Sequence, residues 1–290
     1  MDHIPKHHTT NLPPTTDRSW RIWCWVTLMA EVTRDGVTLH FEQQGPEDGP
    51  VVVFSNSLGT TLHLWDAILP HLPNDLRVLR YDMRGHGQSD VPKAPYTMGQ
   101  LISDAAAVCD AAEVRDAVFV GLSVGGMIAQ GLAVKRPDIV RALVLSNTAA
   151  KIGNPKLWQD RIDAVRATGL AGMSDEIMKR WFSKDFYGTP QMAPWKAMVE
   201  ATSIDGYSGV ITAIAVTDFF TPTSGLRIPT LGIAGSEDGS TPPDLVRETV
   251  DLIPGSQFAL MRRAGHLPCV EHPKAYAGHL TAYLQSIGHI

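Results

Sequence analysis

"VFVGLSVGGMIAQGLA", residues Val118–Ala133, sets one serine between an apolar run and a helix-like stretch, with glycines on both sides. Ala117-Val118-Phe119-Val120 is short and continuously apolar, as suits a strand buried on both faces of a parallel sheet. After the serine, Met127, Ile128, Leu132 and Val134 recur at roughly helical spacing, and Pro137 closes the run. Gly121-Leu122-Ser123-Val124-Gly125 therefore lies at a strand-to-helix turn and matches the G-x-S-x-G pattern of a nucleophile elbow. So sharp a turn lifts Ser123 out of the sheet in an unusual backbone conformation. The flanking positions must be nearly bare so that neighbouring backbone can come close. Gly126 adds a further thin spot where the helix packs. A helix-capping serine after a glycine turn is the plainer alternative; the strand before it and the helix after it favour the elbow.

The same alternation runs along the chain on either side. Glu31–Gln44 reads as a hairpin turning at Asp35-Gly36. Val51–Phe54 and Leu76–Tyr81 read as strands, and Thr97-Met98-Gly99-Gln100 as a capping box opening a helix through Glu113. Ala142–Ser146 is the next strand. Lys151–Gly225 departs from the pattern, being helical and rich in Trp, Met and Arg. The alternation resumes with a strand at Thr230–Ala234, a helix opened by Thr241-Pro242, a strand at Phe258–Met261 and a last helix ending near Ile287. Alternating strands and helices predict an α/β fold, a mostly parallel twisted sheet with helices on both faces. The helical block reads as a lid inserted above it. The expected division is a core of residues 29–147 and 226–290, a helical lid at 148–225, and a dispensable leader at 1–28.

Composition is that of an ordinary globular protein: 290 residues, 44% hydrophobic and 19% charged, with a net charge of −5. That mild acidity and the lack of a basic stripe argue against nucleic acid as partner. Cys24, Cys109 and Cys269 are odd in number and widely spaced, which implies neither a disulfide framework nor a zinc site and fits a reducing cytoplasm. The apolar runs are far shorter than the roughly 18 residues of a membrane span. The polar, Pro- and His-rich start makes a poor secretory signal, and His3, His7 and His8 fit a solvated tail better than a metal site.

A serine hydroxyl needs a histidine to take its proton and a carboxylate to hold that histidine in the right tautomer. In this kind of fold the order along the chain is Ser, then Asp or Glu, then His. Of the histidines after Ser123, His272 and His279 fall at the start and inside of the last helix and His289 at the chain end. His266, in Arg263-Ala264-Gly265-His266-Leu267-Pro268, follows a strand directly and is the expected base. Asp238, just past the strand at 230–234, is the expected acid; Glu237, Asp244 and Asp218 are its rivals. The backbone N–H of Val124 and one N–H from the loop Ser55-Asn56-Ser57-Leu58-Gly59-Thr60 are the expected oxyanion donors. Ser57 lacks the preceding glycine and following helix of a nucleophile. Tyr81-Asp82-Met83-Arg84-Gly85-His86-Gly87 reads as a structural turn buttressing the elbow.

These motifs resemble the α/β-hydrolase fold, and one branch closely, the 3-oxoadipate enol-lactonases. The stretches "FSNSLGTTLHLWD", "LRYDMRGHGQSD", "RWFSKDF", "TSIDGYSGV", "IAGSEDGSTPPD" and "GHLPCVEHP" carry the likeness, which spans about Glu31–Ile287. It implies a small, carboxylated lactone as substrate, a Ser123–His266–Asp238 triad working through an acyl-enzyme, and no metal or organic cofactor. Likeness to relatives that carry His-Gly at Asn56-Ser57 implies the Leu58 N–H as the second oxyanion donor. The substrate carboxylate calls for a cation from Arg161, Arg166 or Arg180. Arg180 is favoured because Trp181 and Phe182 beside it can wall a pocket. Trp158 and Trp195 are further lining candidates. A carboxylesterase, a carbon–carbon bond hydrolase or a cofactor-free perhydrolase would share the triad, and a non-catalytic binding protein would not need it.

Overall fold

The computed structural model describes residues 27–290, so the leader expected at 1–28 and Cys24 lie almost wholly or wholly outside the described residues. Eight strands form one sheet: β1 (Leu28–Arg34), β2 (Val37–Gln44), β3 (Val51–Ser55), β4 (Arg77–Tyr81), β5 (Ala117–Leu122), β6 (Val140–Ser146), β7 (Thr230–Gly235) and β8 (Gln257–Met261). Their order is β1-β2-β4-β3-β5-β6-β7-β8. β1 and β2 pair antiparallel, as do β2 and β4, and every later pairing is parallel. The antiparallel pair follows from its turn. Asp35 and Gly36 both take positive φ, 49° and 76°, the conformation of a two-residue hairpin whose twist matches its strands.

Residues of β3, β5 and β7 are buried throughout, as continuous apolar strands covered on both faces must be. The covering helices are α1 (Met98–Ala111), α2 (Val124–Lys135), α7 (Pro243–Asp251), the single turn α8 (Pro268–Glu271) and α9 (Pro273–Ser286). α1 opens on the expected capping box: Thr97 Oγ1 accepts from Gln100 N–H at 3.2 Å and Gln100 Oε1 accepts from Thr97 N–H at 2.9 Å. It stops at Ala111, two residues short of Glu113. α2 buries Met127, Ile128 and Leu132, but Val134 is 48% exposed. A residue two positions past Leu132 turns some 200° around a 3.6-residue helix, so Val134 belongs to the solvent face.

Between β6 and β7 the chain leaves the sheet for α3 (Pro155–Trp181), α4 (Ala193–Ala201), α5 (Ile204–Ala215) and α6 (Phe220–Ser224). α3 is two arms joined at Gly169, whose φ of 70° and ψ of 172° no helix accommodates. Trp158 on the first arm and Trp181 at the end of the second are thereby returned to one neighbourhood. Among the described residues no helix is long and apolar enough to cross a membrane, and Cys109 and Cys269 are free and buried.

Candidate active site

The parallel strands deliver their carboxyl ends to one edge of the sheet, and the loops there hold the candidate groups. Ser123 sits between β5 and α2 with φ 60° and ψ −119°, a conformation costing roughly 1–3 kcal/mol in a non-glycine residue. Its side chain makes no capping hydrogen bond, which removes the capping reading. The strained backbone is tied down by Ser123 N–H donating to Ser146 O at 3.0 Å and Thr148 Oγ1 donating to Ser123 O at 2.6 Å. The flanking glycines are required by space. A Cβ on Gly121 would stand 2.2 Å from Gly125 O, and one on Gly125 would stand 2.3 Å from Ser55 O. The second approach presses the start of α2 against the loop after β3.

His266 follows β8 in a turn and is 1% exposed. Its Nδ1–H points at Asp238 Oδ2 at 2.8 Å, and its backbone N–H donates to Trp181 O at 2.7 Å. Asp238, just after β7, is a heavily served acceptor. Oδ2 also accepts from Thr241 Oγ1 at 2.8 Å and Asn147 Nδ2 at 2.9 Å, while Oδ1 accepts from Ser240 N–H at 2.7 Å and Thr241 N–H at 3.0 Å. Burial alone would raise its pKa; the imidazole and these donors outweigh it and hold the carboxyl below the usual carboxylate range. The rivals are otherwise engaged or placed. Glu237 Oε2 accepts from Lys184 N–H at 3.0 Å, Asp218 pairs with Lys151, and Asp244 lies in the first turn of α7.

Ser123 and His266 line one cavity of about 140 Å³, together with Ser57, Leu58, Trp158, Arg180 and Trp181. Among the described residues the serine hydroxyl takes no hydrogen-bond partner. Hydrogen bonds of this kind often tighten only in the complex with substrate. The N–H groups of Leu58 and Val124 donate to no described backbone acceptor, as befits a loop and a helix first turn left open for an anion. The Arg84–His86 turn is tied to the loop after β3: Gly59 N–H donates to His86 Nε2 at 3.0 Å, and the His86 Nδ1–H faces Arg84 O at 3.3 Å. Burial pushes the His86 pKa down to about 4, so the ring stays neutral and accepts.

Of the arginines, Arg180 and Arg161 line the cavity and Arg166 does not. Among the described residues Arg180 has no ion-pair partner; Glu176, one turn earlier, pairs with Lys179 at 2.8 Å. Arg161 is half committed. Its Nε and Nη2 donate to Tyr207 Oη at 3.1 and 2.7 Å, and its guanidinium lies over the Trp158 and Tyr207 rings. A wider cleft of about 430 Å³ lined from both arms of α3 shares Leu157, Arg161 and Arg180 with the cavity, so both cations line the two spaces. The Trp158 indole N–H donates to Ile152 O at 2.6 Å, which fixes the ring as a wall. Trp195 packs against the core away from the cavity.

Three residues of the site were missed by sequence reasoning: Asn147, Thr241 and Tyr207. Asn147 holds φ 45°, which Asn tolerates, and its Nδ2 bridges Asp238 and Gly265 O. An Asn straight after a buried strand's carboxyl end was the available signal. Thr241 and Tyr207 lay within stretches that carry the family likeness, but nothing local marked either as a partner of Asp238 or Arg161.

Residues 50–273 match the alpha/beta hydrolase fold family. The "3-oxoadipate enol-lactonase 2" of Acinetobacter baylyi is 34% identical over 247 residues, 84% of this chain and 92% of that protein. The "3-oxoadipate enol-lactonase 1" of the same organism is 35% identical over 256 residues, 88% and 96% of the two chains. Among solved structures, the enol-lactonase from Burkholderia xenovorans LB400 superposes with a TM-score of 0.85 at 33% identity, covering 88% of this chain and 100% of that one.

Proposed function

The chain belongs to the alpha/beta hydrolase fold family, and from that membership we propose that it is a serine hydrolase opening 3-oxoadipate enol-lactone to 3-oxoadipate. The observation that carries this reading is a buried His266–Asp238 pair whose imidazole lines one cavity with Ser123 and two arginines. The two enol-lactonase relatives at 34% and 35% identity point to the same substrate.

His266 Nε2 takes the Ser123 proton as Oγ bonds to the lactone carbonyl carbon. The oxyanion is held by Leu58 and Val124 N–H groups, each worth roughly 3 kcal/mol in comparable sites. Collapse breaks the ring C–O bond. The leaving oxygen departs as an enolate, which takes the proton that His266 Nε2 holds and becomes the ketone, leaving the imidazole neutral. Water then gives His266 a proton as it attacks the acyl-serine; the ester bond breaks, and Ser123 recovers its hydrogen. Asp238 stays ionised, fixing the imidazole with Nδ1–H toward it and Nε2 toward the serine. Arg180 takes the substrate carboxylate, its fork matching two oxygens.

The test compares turnover of the enol-lactone with that of neutral aryl esters of similar size. The carboxylated lactone should have the higher kcat/KM. A clear preference for the neutral esters would move the protein to a carboxylesterase using the same triad.

A further inference from the structure

The loop after β3 carries a row of polar side chains, and all but one are paired inside the protein. Ser55 Oγ meets Tyr81 Oη at 2.7 Å. Asn56 Nδ2 donates to Tyr81 O at 2.7 Å while its Oδ1 accepts from Trp65 Nε1 at 2.8 Å. Thr60 Oγ1 donates to Ser57 O at 2.8 Å. Ser57 is as deeply placed, 1% exposed, yet among the described residues its hydroxyl has no partner. It is also not one of the side-chain atoms sealed from solvent without one. What little surface Ser57 keeps faces the catalytic cavity, which it lines beside Leu58, Ser123 and His266.

A hydroxyl that has no partner in the protein and opens onto a cavity is free to bond a group held there. The neighbouring residue supplies the Leu58 N–H to the same cavity. The loop is also rigid. Thr60 N–H donates to Ser57 O at 3.2 Å, Gly59 N–H is held by His86, and Asn56 is fixed at both ends of its amide. A donor on such a frame needs no reorganisation as charge develops on the substrate, which is the condition for electrostatic catalysis.

We propose that Ser57 is a catalytic residue whose hydroxyl is a third oxyanion donor, beside the Leu58 and Val124 N–H groups. It rests on the serine-hydrolase reading above. The Ser57 O–H bond stays intact throughout; its hydrogen bonds the carbonyl oxygen as that oxygen becomes an anion and releases it when the tetrahedral adduct collapses. The hydroxyl therefore acts on the transition state more than on bound substrate.

The experiment compares the full chain with Ser57→Ala and Ser57→Thr. Each is measured for kcat and KM on p-nitrophenyl acetate, for binding of phenylboronic acid, which forms a tetrahedral adduct, and for binding of 3-oxoadipate, which does not. Ser57→Ala should lose on the order of 100-fold in kcat with KM little changed. Boronate binding should weaken by a like factor and 3-oxoadipate binding should hold. Ser57→Thr, which keeps the donor, should recover most of the loss. A merely structural Ser57 would weaken both ligands together, and that result overturns the proposal. So does a Ser57→Ala kcat within about threefold of wild type. Ser57→Ala breaks no internal hydrogen bond, so its melting temperature should match the wild type. Labelling of the wild-type Ser123 peptide by an alkyl phosphonate tests the parent reading alone. Labelling with an unaffected Ser57→Ala sinks only the oxyanion role, whereas absent labelling sinks both.

Discussion

Replacing Asp238 by Asn should disable the site through the tautomer of His266, and the hydrogen bonds say why. The carboxylate faces only donors. Oδ1 accepts two backbone N–H groups, from Ser240 and Thr241, neither of which can reverse. Oδ2 accepts from Thr241 Oγ1, Asn147 Nδ2 and His266 Nδ1. An Asn amide therefore keeps its oxygen at the backbone pair and turns its NH2 toward the other three. The Thr241 hydroxyl can rotate to accept. Asn147 can flip only by giving up its bond to Gly265 O. His266 answers by moving its proton from Nδ1 to Nε2, where it blocks proton uptake from Ser123. One mismatched buried donor costs roughly 1–3 kcal/mol of stability. The same replacement in the Ser-His-Asp template costs about 10⁴-fold in kcat, some 5 kcal/mol of barrier. Steady-state ester hydrolysis reads the rate, and the imidazole nitrogen shifts in an NMR spectrum read the tautomer. A variant that keeps kcat within about tenfold of wild type, or whose His266 proton stays on Nδ1, would refute the reasoning.

Arg180→Met should raise KM for the carboxylated lactone about 10- to 100-fold, the worth of a charged hydrogen bond, while leaving neutral aryl esters unaffected. A KM rise in Arg161→Met instead would move the carboxylate contact to Arg161. Gly125→Ala puts a Cβ 2.3 Å from Ser55 O and 2.8 Å from Asn56 O, both backbone atoms. The start of α2 and the loop after β3 must part, so about 1–3 kcal/mol of stability should be lost in a denaturant titration and kcat should fall with it. His86, with its pKa lowered to about 4 in the fold, cannot take up the proton that the unfolded chain binds below the ordinary 6.5. The unfolded state then binds more protons between these values, so stability falls as the pH is lowered from 6.5 to about 4, by up to about 3 kcal/mol for this one group. Thermal melts from pH 7 to 4 should show the slope, and His86→Gln should flatten it; an unchanged slope would assign it to other groups.

The elbow was legible because it is local: a buried strand, a strained residue and the glycines that admit neighbouring backbone all fall within ten positions. His266 and Asp238 were legible by a weaker route, their place just after strands. Adjacent Glu237 was a fair rival on sequence, since consecutive residues in a turn share every local signal. Only the fold shows that its side chain turns to Lys184 N–H. Asn147 and Tyr207 make their contacts across the chain, whereas Thr241 lies only three positions past Asp238, whose carboxylate it serves. Asn147 meets Asp238 over 91 positions, and Tyr207 meets Arg161 over 46. Gly169 hid the cavity itself. Its break in α3 folds Trp158 and Trp181 to one wall, and a glycine inside a helical pattern does not announce whether the helix merely tolerates it or turns there.

The placement of the parts also divides the chemistry from the choice of substrate. Leu58 and Ser57 follow β3, Ser123 follows β5, Asn147 follows β6, Asp238 follows β7 and His266 follows β8. Each follows a strand end, and Ser123, Asn147, Asp238 and His266 are also held by hydrogen bonds to neighbouring loops. The cations and aromatic walls come from elsewhere: Trp158, Arg161, Arg180 and Trp181 all lie on α3, whose second arm meets this frame where Trp181 O accepts His266 N–H and Arg180 O accepts Gly239 N–H. Substitutions at strand ends should therefore act on kcat for every ester, and substitutions on α3 side chains on KM for particular ones. The backbone seam at Trp181 is the place where the two effects should mix. A change there that altered KM alone would mean that the helices move independently of the histidine loop.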